Sequence, residues 1–244
     1  PHHQEAYCHI IYGIEQRKGF IEITGEVGCG KTTICRAVLS ALSDNVQTAL
    51  ILNPSLTETQ LMRAMLHDFG LEVQGRDRLS YIETLNEFLL RMNADGTNVA
   101  LVIDEAQDLS TNVMEQVRLL SNLETDQHKL IQIVLVGQPE LKQRLASPGL
   151  RQLRQRITVR YHIAPLTREQ TGVYISHRLK VAGSDGRLEF DDEAVRLIHK
   201  YSQGTPRLIN AVCDNVLLAG YVARANTMNG DCVRKAIQQL EGTQ

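Results

Sequence analysis

The segment Gly25–Thr32 reads G-E-V-G-C-G-K-T, and few short stretches restrict a fold as tightly. It follows an apolar run, F-I-E-I-T at Phe20–Thr24, and opens an amphipathic one, K-T-T-I-C-R-A-V-L. A loop of this pattern needs that strand-turn-helix setting. Its glycines let the backbone curl until successive N–H groups converge on a phosphate, and the helix N-terminus adds a field that favours anions. The pattern predicts a nucleotide-phosphate site at Gly25, Glu26, Val27, Gly28, Cys29, Gly30, Lys31, Thr32 and Thr33. Lys31 is expected to reach the β- and γ-phosphates of ATP, and Thr32 to offer its hydroxyl to Mg²⁺. Cys29 occupies a variable position, either as a small loop filler or as a redox-responsive thiol.

Strand-sized apolar runs recur along the chain at 20–24, 48–53, 99–104, 131–137 and 157–163. Segments with helical spacing at 32–42, 57–69, 79–92 and 112–123 separate most of them. This alternation predicts a parallel five-stranded α/β sheet flanked by helices, and the nearly all-apolar central runs predict strands covered on both faces. After Ile163 the strand-like runs stop. Helical spacing at 167–181, 191–203, 206–224 and 230–240 predicts a small all-α lid, with a boundary that divides the chain into 1–164 and 165–244. Gly204 and Pro206 suit a helix end and the first turn of the next helix.

The run V-A-L-V-I-D-E-A-Q places Asp104 and Glu105 at the end of a strand. A carboxylate there can hold Mg²⁺ directly or through water, and the glutamate beside it can polarise the attacking water. In I-V-L-V-G-Q-P-E-L, Gln138 lies just past a strand and is expected to sense the γ-phosphate. Asn53, at the end of A-L-I-L-N, is a candidate for holding Glu105 inactive until a ligand frees it. Charge developing on the transferred phosphoryl group calls for an arginine finger. Arg156, before the last strand, is the candidate, with Arg151 and Arg154 as alternatives, and Arg207 in S-Q-G-T-P-R-L-I-N is the candidate sensor in the lid.

Hydrophobic residues make up 43% of the 244 residues and charged residues 22%, which is globular composition rather than disordered or membrane-embedded. No run approaches the roughly 20 apolar residues of a membrane helix, and no charged-then-apolar leader opens the chain. The expected location is the cytoplasm, either alone or as the cytoplasmic part of a longer inner-membrane protein. A net charge of −2 gives no general drive toward nucleic acid, although Arg151, Arg154, Arg156 and Arg160 form a local basic stretch. Five scattered cysteines without a C-x-x-C pair read as reduced thiols. The histidines lack metal-ligand spacing, and His2 and His3 are expected at a loose terminus, so no zinc site is expected.

The motifs, taken in order, resemble the AAA+ superfamily. H-x-E-A-x-x-H-I-x-Y-G-I-E, K-G-F, G-E-V-G-x-G-K-T-T, D-E-A-Q, V-G-Q-P-E-L, L-R-Q-R-I and G-T-P-R-L-I-N resemble in particular the ExeA/GspA-type ATPases linked to bacterial general secretion. That resemblance implies ATP bound between an α/β domain and a helical lid, and a ring or other homo-oligomer, with ATP a candidate trigger of assembly. It implies Lys31 and Thr32 on phosphates and Mg²⁺, and Asp104 and Glu105 as the acidic pair. Gln138 would be sensor one, Arg156 the finger in trans and Arg207 sensor two. Gln138 departs from the Asn or Thr usual in the superfamily. The implied function is an ATPase that assembles or energises an envelope secretion or export system, with envelope components as partners. The alternative is a nucleic-acid-linked AAA+ ATPase of transposition or replication loading.

Overall fold

The computed structural model describes residues 2–42, 45–52, 55–73, 75, 77–125 and 128–242. The chain divides into two units, Pro1–Gly25 with Lys31–Ile163, and Glu26–Gly30 with Ala164–Gln244.

In the first unit, β1 (Phe20–Gly25), β2 (Val46–Ile51), β3 (Asn98–Ile103), β4 (Gln132–Gly137) and β5 (Ile157–Ile163) form one sheet in the order β2-β3-β4-β1-β5. Every pairing is parallel. The inner strands β1, β3 and β4 are buried at each residue, as their nearly all-apolar runs require. β2 lies at an edge, where one buried face suffices. It therefore takes in the exposed Gln47 and runs from Val46 to Ile51, two positions earlier than the apolar residues suggest at both ends.

Seven helices flank this sheet among the described residues: α1 (His2–Glu15), α2 (Lys31–Ala41), α3 (Glu58–Asp68), α4 (Arg78–Ala94), α5 (Thr111–Leu120), α6 (Pro139–Leu145) and α7 (Arg151–Arg156). The expectation of a loose N-terminal end for His2 and His3 is corrected. Both lie in the first turn of α1, which Ala6, Ile10, Gly13 and Ile14 bury along one helical stripe. The hydroxyl or carboxylate of Thr57, Asp77 and Ser110 accepts a first-turn amide of α3, α4 and α5, satisfying donors that the helix itself leaves open. α5 stops at Leu120 rather than Leu123, because Ser121 turns its hydroxyl onto the Arg118 carbonyl and the chain enters an antiparallel bridge between Glu124 and Lys129. Leu61, Met65, Leu85, Leu89, Val113 and Val117 pack with Leu101, Ile103, Ile133 and Leu135 into one core. No helix of the described residues is long and apolar enough to cross a membrane.

The second unit holds α8 (Arg168–Val181), α9 (Asp192–Ser202), α10 (Pro206–Ala223) and α11 (Gly230–Leu240). Their core is Ile175, Ile198, Ile209, Val212, Val216 and Val233. This unit is not wholly helical: β6 (Glu189–Phe190) and β7 (Thr227–Met228) pair in parallel. Two-residue strands give no apolar run, and the signal is confined to Met228, which is fully buried.

Candidate nucleotide site

The sheet order determines what can meet. β4 lies between β1 and β3, and all three run the same way, so the residues that follow their carboxyl ends share one end of the sheet. Ligands of open parallel sheets bind at that end. Gly25 closes β1, Asp104 follows β3 and Gln138 follows β4.

The loop after β1 curls through Gly28 and Gly30, at φ +79° and +97°, backbone conformations that a side chain resists. α2 then starts at Lys31 with no acid of its own in the first turn, so the positive end of its dipole is not offset from within the helix. Lys31 is 6% exposed, and its Nζ donates to the Gly25 carbonyl at 2.9 Å, turning the ammonium back over the loop. One residue on, the Thr32 hydroxyl donates to Asp104 Oδ2 at 2.5 Å. The other carboxylate oxygen of Asp104, itself 2% exposed, accepts the Glu105 amide at 2.9 Å. A hydroxyl and a carboxylate in contact are hard oxygen donors of the kind Mg²⁺ takes. Cys35 on α2 is close enough to feel both charges. Burial first, then the Asp104 carboxylate, push its thiol up to about 12, with Lys31 opposing, which makes it an inert neutral thiol rather than a nucleophile.

Glu105 sits at φ +51°, ψ +39°. A non-glycine residue held in this left-handed region costs about 1–3 kcal/mol, a strain that collects where a side chain must be aimed. The aim is visible. Glu105 Oε2 accepts from Gln107 Nε2 at 2.9 Å and from Gln138 Nε2 at 3.1 Å. Gln138 is the N-cap of α6 but makes no side-chain cap bond; its carboxamide faces Glu105 instead.

A family model described as AAA domain matches residues 14–145. The chain belongs to the AAA domain family. General secretion pathway protein A of Aeromonas hydrophila is 42% identical over 241 residues, 98% of this chain and 44% of that protein. The chain thus spans less than half the length of this curated relative, and it is an AAA+ domain of the ExeA/GspA type. Among solved structures, Cdc6p from Pyrobaculum aerophilum has a TM-score of 0.72 at 19% identity over 98% of this chain and 67% of that one. ORC2 from Aeropyrum pernix in its ADP form has a TM-score of 0.70 at 14% identity over 97% and 67%. The RuvB Holliday junction branch migration motor of Thermotoga maritima has 0.65 at 22% identity over 97% and 69%. At such identities the likeness speaks to the fold, which is the P-loop α/β fold that the loop and the alternating runs predict.

The AAA match contains Lys31, Thr32, Asp104, Glu105 and Gln138, while Arg156 and Arg207 lie beyond it. Arg156 ends α7, and its Nη1 donates to Ser121 Oγ at 2.6 Å, just past the C-terminal turn of α5, where a cation is favoured. Arg151 and Arg154 are exposed on the same short helix. Arg207 lies in the first turn of α10 with its side chain exposed, and its amide donates to the Gly28 carbonyl at 3.2 Å. Both residues belong to the second unit. Cys29 is buried. Asn53 lies outside the described residues. Two residues beside these strand ends escape a motif-by-motif reading. Gln107 was visible only as the last letter of D-E-A-Q, and Arg144, whose guanidinium donates to the carbonyls of Gln107 and Leu109, gave no signal at all.

Proposed function

We propose that this domain binds and hydrolyses Mg-ATP, as the ATPase part of a factor that assembles or energises a bacterial envelope secretion or export system. The observation carrying hydrolysis is the contact between Thr32 and Asp104, with Glu105 fixed beside them. A phosphate-loop hydroxyl, an acidic metal ligand and a candidate base then converge at one point. The similarity to General secretion pathway protein A supports the export role.

In this reading the amides of Gly25–Thr33 and the Lys31 ammonium bind the phosphates. Thr32 and Asp104 hold Mg²⁺, which supplies positive charge against the charge developing on the phosphoryl oxygens. Glu105 orients the attacking water and takes its proton. Gln138 reports the γ-phosphate to Glu105 through its carboxamide. Arg156 serves a neighbouring copy's nucleotide as the finger, Arg207 acts as the second sensor, and the working form is a homo-oligomer in contact with envelope components. Glu105→Gln tests the core of it. That variant is expected to bind ATP normally and to lose about 100-fold or more in steady-state hydrolysis; turnover at the wild-type rate removes Glu105 as the base.

A second reading, a nucleic-acid-linked ATPase, draws on the exposed Arg151 and Arg154 of α7. Duplex DNA binding that weakens steeply with salt and strengthens with ATP favours it. Binding to detergent-solubilised envelope components without such a salt slope favours export.

A further inference from the structure

We propose that Gln107 is a positioning residue for Glu105, the member that closes a hydrogen-bonded ring linking the end of β4 to that carboxylate. The inference rests on the ATPase reading above. The ring has three bonds. Gln107 Nε2 donates to Glu105 Oε2 at 2.9 Å, Gln138 Nε2 donates to the same oxygen at 3.1 Å, and the Gln138 main-chain amide donates to Gln107 Oε1 at 3.1 Å.

The chemistry leaves one orientation for the Gln107 carboxamide. An ionised carboxylate only accepts and a main-chain N–H only donates, so the NH₂ must face Glu105 and the oxygen must face Gln138. A leucine can do neither. A glutamate of the same shape can accept the Gln138 amide but presents no donor to Glu105.

The surroundings are shaped around this side chain. Gln107 is 9% exposed. Gly137, the last residue of β4, has no room for a side chain: a Cβ there would lie 2.7 Å from Gln107 Oε1 and 2.9 Å from Leu141 Cδ2. Arg144 donates to the carbonyls of Gln107 and Leu109, bracing the turn Ala106–Asp108 that carries the carboxamide.

The ring makes Glu105 answerable to β4 in a specific way. Gln138 contributes two of the three bonds, one from its side chain and one from its main chain. A shift of the β4 end therefore withdraws one donor from Glu105 directly and unseats the other by removing the amide that holds Gln107. A glutamine that merely filled a buried turn would not depend on Gln138.

The test compares wild type with Glu105→Gln, Gln107→Leu, Gln107→Glu, Gln138→Leu and the Gln107→Leu/Gln138→Leu double variant. Mg-ATP hydrolysis, the Kd for a fluorescent ATP analogue and Tm are measured for each. Gln107→Leu and the near-isosteric Gln107→Glu are expected to lose about 10- to 100-fold in kcat, the scale of a misplaced reacting group, with Kd within about twofold. The double variant is expected to be no more than about threefold slower than the slower single variant, because a ring is broken once. Three results overturn the proposal: wild-type kcat in both Gln107 variants, a Kd that rises as far as kcat falls, or losses that multiply in the double variant. A Glu105→Gln variant that hydrolyses normally removes Glu105 as the base, and a wild type that hydrolyses no Mg-ATP overturns the underlying ATPase reading instead. Loss in Glu105→Gln with no loss in the Gln107 variants overturns the ring alone.

Discussion

At the strand ends of the first unit, Lys31, Asp104 and Gln107 are buried, and each bonds to a specific neighbouring group of that site. In the helical unit, by contrast, Glu193, Arg196, Asp231 and Arg234 pair across open helix faces, three residues apart or between α9 and α11. Both are networks of charge, but water treats them differently. Exposed pairs are screened by water and salt, and each adds little. A buried polar group that loses its partner costs about 1–3 kcal/mol, more if charged. Substitution at the strand ends should therefore change chemistry, and substitution on the helix faces should change little beyond acid stability.

The largest effect tests the buried side. Lys31→Ala removes the ammonium that lies over the loop, and ATP affinity is expected to fall by about 100-fold or more, on the scale of a lost charge-assisted contact to phosphate; titration calorimetry reads it. Next comes Arg156, which belongs to neither extreme because it is half-buried and bonded to Ser121. Arg156→Ala is expected to lower kcat by about 100-fold or more if it serves as a finger, and mixing it with Glu105→Gln should restore activity at shared interfaces. Ser121→Ala, which releases the guanidinium without removing it, should keep most of the hydrolysis. Gly137→Ala is expected to lower kcat by about tenfold by displacing Gln107, with an overpacking cost of about 1–3 kcal/mol seen in Tm.

The smallest effect belongs to the exposed network. Bonds from Arg196 first, and then the charges of Arg196 and Arg234, hold the Glu193 carboxyl at about 2, against an ordinary value of 4.5. Because the folded value is the lower one, this contribution is fully present above pH 4.5 and fades as pH falls toward about 2. Glu193→Gln should therefore flatten the acid limb of Tm against pH in that window and leave hydrolysis at neutral pH unchanged.

What the sequence disclosed follows the same division. Strands buried on both faces, such as V-A-L-V-I and I-V-L-V, announce themselves because few polar residues can be satisfied inside them. The edge strand β2 announces itself only in part, since its exposed Gln47 resembles a loop and shifts the readable run two positions downstream. α1 was hidden for a related reason: His2, His3 and Gln4 open it, and their polarity masks a stripe buried only from Ala6 onward. At the site, Lys31, Thr32, Asp104 and Glu105 are legible because the chemistry demands those residue types at those spacings. Gln107 acquires its partner only where β3 and β4 end side by side, a fact of sheet order that no local pattern carries. Arg144 is further removed still, for it binds carbonyl oxygens and leaves no complementary side chain to notice.

That last contact bears on how the turn can diverge among descendants of this chain. Every amino acid brings a carbonyl, so the grip of Arg144 on residues 107 and 109 survives any change of side chain that the local packing permits. The exposed Asp108 is accordingly free to drift. To the turn's own backbone bonds, Asp108 to Glu105 and Leu109 to Ala106, position 144 adds two separate N–H arms. Arg144→Lys, with one compact ammionium in place of a planar fork, is a mutation that would look conservative in an alignment and behave as a loss.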